Sequence, residues 1–185
     1  MLKKKLIAVI GGMALSLSIV GTALAAPNSD NSSETNKQLT QVRQATEKYH
    51  DFKVALQNGY INTEEVAVSP EGVMGIHFVN PALMFDGGVL NQNQPEVLLY
   101  NPSNDGGYKL VGVEYYVPAF MTNEHPALFG HPFDGSMLNH DLDPTKLTGA
   151  EIQNPLNRHY DLHVWLWHAN PAGIFAPWNP SIKIK

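Results

Sequence analysis

The chain has 185 residues, 17 acidic against 12 basic, a formal net charge of −5 and no cysteine. An acidic balance excludes electrostatic docking on nucleic acid or anionic lipid as a primary mode of binding. The absence of cysteine excludes disulfides and thiolate metal sites, so the fold must rest on an apolar core or on a bound metal, for which imidazole and carboxylate are the leading ligands.

At the N-terminus, Lys3, Lys4 and Lys5 precede an apolar run from Leu6 to about Val20, and Ala23-Leu24-Ala25 supplies the small residues of a cleavage site. The run is short and is interrupted by Gly11, Gly12, Ser16 and Ser18, which fits a cleaved secretory signal peptide over 1–25 better than a membrane anchor. Cleavage removes three lysines and no acid, so the mature chain carries −8 and is expected outside the cytoplasmic membrane, with no further membrane association. Residues 26–36 have almost nothing apolar to bury and read as a disordered spacer. One globular domain is expected over 37–185, long enough for a single core.

Leu39, Val42, Ala45, Thr46, Tyr49, Phe52, Val54, Ala55 and Leu56 then recur near helical spacing. No proline intervenes, and Gly59 stands where a helix C-terminus favours glycine. A helix over about 35–58 is expected, and a solitary amphipathic helix normally covers a sheet. Downstream, Gly and Pro punctuate short β-prone runs at 73–79, 96–100, 108–117 and 159–167. The turn formers from Asn101 to Gly107 join the second and third as an antiparallel hairpin. Asn-Pro pairs beginning at 80, 101, 154, 170 and 179 act as stops, because the residue before proline avoids the helical region. From 120 to 157 the periodicity fades and a long loop excursion is expected. The fold class that follows is α+β: an N-terminal helix packed on a curved, mainly antiparallel sheet or incomplete barrel.

The segment 159–180 holds three of the eight histidines and all three tryptophans. Written as a strand, it places His159, Asp161, His163, Trp165 and Trp167 on one face. The same exercise assigns Gly75, His77 and Val79, then Glu96, Leu98 and Tyr100, then Leu110, Gly112, Glu114 and Tyr116 to faces opposite plainly apolar ones. If the strands are neighbours, these faces converge on one cleft. His77, Glu114 and His163 then form a ligand set for a divalent transition metal, because a sheet holds imidazole and carboxylate with the rigidity that coordination needs.

Glu96 and His159 are the candidates for moving protons, as in a metal-dependent enzyme, and Tyr100, Tyr116, Trp165 and Trp167 are expected to line the cleft against a small-molecule ligand or substrate. Two rival readings share the pattern. A non-catalytic binding module would stack a sugar or other flat ligand on Trp165, Trp167, Trp178, Tyr100 and Tyr116. A half-solvated sheet also alternates polar and apolar residues, although it has little reason to set Trp beside His on its wet face. His125, His131 and His140 read as exposed residues of a loop able to close over the sheet. No phosphate-cradling glycine loop, nucleophile elbow or HExxH zinc motif is present.

Four phrases resemble a family of secreted bacterial proteins of unknown function: Met74-Gly75-Ile76-His77-Phe78-Val79-Asn80-Pro81, Pro95-Glu96-Val97-Leu98-Leu99-Tyr100, Val111-Gly112-Val113-Glu114-Tyr115, and the run from His163 to Phe175. The likeness spans about residues 45–182. It implies a single extracytoplasmic domain and brings no reaction with it.

Overall fold

The computed structural model describes residues 29–136, 138 and 158–183. The expected signal peptide, His140 and the Asn154-Pro155 stop lie outside the described residues. Helix α1 runs Ser29–Thr46, a 3-10 turn Glu47–His50, and helix α2 Phe52–Gln57. The helix therefore reaches back into the stretch read as spacer, and it is broken where one continuous helix was expected. Asp51 is the cause: its Oδ1 accepts from Lys53 N at 3.0 Å, capping a new helix and ending the old one. Gly59, at φ +89, closes α2 as its position implied.

Five strands follow in one sheet: β1 Ile61–Ser69, β2 Gly72–Val79, β3 Val97–Pro102, β4 Tyr108–Pro118 and, last in the chain, β7 His159–Val164. A short helix α3, Pro81–Met84, separates β2 from β3, and Asn80 caps it by accepting from Ala82 N. Between β4 and β7, β5 Ala127–Leu128 and β6 His131–Pro132 make a two-stranded ladder of their own. The main sheet has the order β1-β2-β3-β4-β7, every neighbour antiparallel, and it is open and curved. This is the expected α+β class.

β1 is the element the sequence did not announce. Its Ile-Asn-Thr-Glu-Glu-Val-Ala-Val-Ser lacks clean alternation, because two register irregularities interrupt its pairing with β2 and Glu64 sits at φ 58. As an edge strand it needs only one apolar neighbour.

Both faces of the sheet are covered. On one, Leu39, Val42, Tyr49 and Ala55 from the helices pack on Ile76, Phe78, Leu98, Tyr100, Leu110, Val113, Tyr115, Leu162 and Val164. On the other, a smaller cluster joins Val97, Leu99, Val111, Tyr116 and Trp165 to Met84 and to Ile182 of the C-terminal segment. That segment is tied down by reciprocal Val73–Asn179 backbone bonds of 3.2 Å. Gly72, at φ +145, permits this approach, since a Cβ there would stand 2.5 Å from the Asn179 carbonyl carbon. Among the described residues no helix is long and apolar enough to cross a membrane.

Candidate metal centre

Strand pairing decides which side chains meet. Residues opposed in antiparallel strands project from the same face. Val79, Val97, Glu114 and His163 therefore form one row across β2, β3, β4 and β7, and His77, Leu99 and Gly112 form the next. His77 reaches across β3 to Glu114: its Nε2 lies 3.2 Å from Glu114 Oε2, and His163 Nε2 lies 3.6 Å from the same oxygen. One potential ligand atom from each residue falls within 4.8 Å of the others, so the three can hold a metal ion. Two donors bonded to one ion at about 2.0–2.2 Å stand about 3.0–3.5 Å apart at ordinary coordination angles. Both Glu114 contacts are close to that spacing. The two imidazoles have only to draw together.

The centre is buried but not sealed: side-chain exposure is 6% for Glu114, 1% for His163 and 14% for His77. Within it, Glu114 Oε2 and His163 Nε2 are fully buried and lack a hydrogen bond of good geometry, so their partners are the ion-pair contacts with His77 and with each other. Buried polar atoms held in contacts this loose are candidates for an additional ligand.

Burial pushes the Glu114 carboxyl up, but the charge of His163 and the contact and charge of His77 outweigh it and hold the group below its usual range. Burial pushes the His163 imidazole down, and the carboxylates of Glu114 and Asp161 reverse that and raise it. Asp161 accepts from His163 Nδ1 at 3.2 Å, and its other oxygen lies 3.5 Å from His159 Nε2. These contacts overcome its burial and keep it well below the carboxylate range. Asp161 is the residue the sequence reasoning passed over. Its signal was present, since His159, Asp161 and His163 share one face at period two.

Several expected positions are corrected. Tyr100 is wholly buried on the helix-covered face, where its hydroxyl donates to Tyr49 O at 2.6 Å, taking up a carbonyl in the 3-10 turn. Leu98 accompanies it, while Val97 and Leu99 occupy the metal-side face. The polar Glu96 suggested the opposite parity, but it precedes β3, and its carboxylate accepts from Tyr116 N at 3.1 Å. It does not belong to the three-residue ligand group. Leu110 also moves to the helix side, because Leu99 pairs with Gly112 and Tyr100 with Leu110, leaving Val111 as a bulge.

Trp167 fails for a different reason. β7 ends at Val164 and the alternation stops, so Trp167 packs on the His50 ring at 4.4 Å, with the helix-side core. Trp165 remains on the metal side, its ring 6.4 Å from that of His163 and its Nε1 donating to Ala176 O. Tyr116 also stays, stacked on His159 at 4.1 Å.

A cleft of about 290 Å³ borders Asp161 and His163, walled by His131, Phe133, Asp134, Phe175 and Pro177. Asp134 reaches this edge of β7 through reciprocal backbone bonds with Asp161 of 2.7 and 3.1 Å. This part of the loop pairs along the edge of β7, and His125 Nε2 is engaged with Phe133 O at 2.7 Å. No family model, curated protein or solved structure matches this chain.

Proposed function

We propose that this is an extracytoplasmic protein that binds one divalent transition metal through His77, Glu114 and His163, and that the ion's remaining coordination positions serve a small-molecule ligand or substrate. The carrying observation is the convergence of His77, Glu114 and His163, whose ligand atoms lie within 4.8 Å of one another, with Glu114 Oε2 and His163 Nε2 buried and without a well-formed hydrogen bond. A single cation satisfies both at once. Two imidazoles and one carboxylate are the donor set of ions that keep an open position for water or substrate, whereas a purely structural site is filled by four protein ligands. An ion so held would polarise a bound oxygen, and of the two expected proton carriers His159 is joined to the centre through Asp161.

The export signal read in the sequence supports the compartment. The phrases containing His77, Glu96, Glu114 and His163 support membership of the secreted bacterial family. Against the stacking-module reading, Tyr100 and Trp167 pack with the helix-side core and Trp165 is buried, which favours the metal reading.

Elemental analysis of the tag-free mature protein tests the proposal, with one metal per chain expected in wild type and loss of retention in His77→Ala, Glu114→Gln and His163→Ala. Substoichiometric metal that none of these substitutions alters would overturn it.

A further inference from the structure

We infer that Asp161 and His159 form a positioning layer for this metal centre: Asp161 accepts a hydrogen bond from His163 Nδ1–H, so that the ring presents Nε2 alone to the ion, and His159 steadies the far carboxylate oxygen. The inference rests on the metal reading and specifies how the site selects its ligand atoms.

An ionised carboxylate can only accept, so the 3.2 Å contact between His163 Nδ1 and Asp161 Oδ1 requires the proton on Nδ1. In the neutral ring this leaves the lone pair on Nε2. That nitrogen is the buried, unsatisfied one directed at Glu114. Asp161 is itself 4% exposed and is anchored through its backbone on both sides, to Tyr116 in β4 and to Asp134 across the edge of β7. Its carboxylate is thereby kept on the Nδ1 side of the ring rather than among the ligand atoms. His159 is fixed in turn by the Tyr116 ring stacked on it. A negative charge behind a ligating imidazole orients the ring and makes it a better donor, and loss of such a partner typically weakens metal binding about 10- to 100-fold.

The test uses the full mature chain loaded with cobalt(II), whose visible absorption reports ligand number. Asp161→Asn keeps an acceptor but no charge, and Asp161→Leu removes both. Affinity measured by chelator competition should fall about 10- to 100-fold in Asp161→Leu and by less in Asp161→Asn. The absorption pattern of Asp161→Asn should match wild type. Unchanged affinity in both variants overturns the inference, and so does an altered pattern in Asp161→Asn, which would make Asp161 a ligand.

Nitrogen-15 shifts of His163 in wild type at alkaline pH need no variant: Nδ1–H is expected, and Nε2–H refutes the assignment. Absence of cobalt uptake by wild type overturns the metal reading itself. Uptake with indifferent Asp161 variants overturns the positioning role alone.

Discussion

Glu96 offers a sharp test of the electrostatics, because it is a carboxyl 2% exposed whose neighbouring charges, Asp86 and Glu114, are both negative. Burial, the largest influence, outweighs the Tyr116 N–H bond and pushes the group up to about 8. An unfolded chain would release this proton near 4.5, so the native state holds it more tightly. The contribution to stability is therefore fully present below about pH 4.5 and is lost as pH rises through about 8. At about 1.36 kcal/mol per pH unit, the gap amounts to on the order of 5 kcal/mol once both states are ionised.

Glu96→Gln keeps an oxygen for Tyr116 N–H and cannot ionise. In urea unfolding of metal-free protein, the variant should lie within about 1 kcal/mol of wild type near pH 5 and exceed it by several kcal/mol near pH 9. A difference that stays constant with pH, or one that grows in favour of wild type, would refute the reasoning.

Gly112→Ala should destabilise the protein by about 1–3 kcal/mol in the same assay, because its Cβ would stand 2.8 Å from Val164 O and force β4 from β7. The same substitution should weaken cobalt binding, since Glu114 and His163 ride on that pair of strands. Phe78→Ala, at a fully buried position on the helix side, should cost about 3–5 kcal/mol yet leave metal stoichiometry unchanged in the folded protein. Copper(II) or cobalt(II) should quench tryptophan fluorescence mainly through Trp165, whose ring is 6.4 Å from that of His163. Trp165→Phe should remove most of the quenching, and retention of it would place the ion elsewhere.

The ligand set was legible because in β2 and β4 a single polar residue interrupts an apolar run at a mid-strand position. His77 sits between Ile76 and Phe78, and Glu114 between Val113 and Tyr115. β3 offered no such contrast. It is central, apolar on both faces from Val97 to Leu99, and the polar cue that set its parity, Glu96, lies outside the strand. Tyr100 was misplaced on that cue, and Leu110 because a bulge at Val111 is invisible to strict alternation. The helix break had a local sign in Asp51, a capping residue inside an apolar repeat, but its consequence appears only where Tyr100 reaches the Tyr49 carbonyl.

By itself the sequence determined the N-terminal helix, the strands β2, β3, β4 and β7, the antiparallel hairpin from β3 to β4, the expectation of export, and the absence of any thiolate donor for a metal. Those properties are local, set by periodicity, turn residues and composition. The tertiary structure decided the strand order β1-β2-β3-β4-β7, the parity of β3 and the bulge at Val111, and so set His77 within 3.2 Å of Glu114 and Asp161 behind His163. Such contacts depend on pairing between segments far apart in the chain. A one-residue change of register turns a side chain to the opposite face.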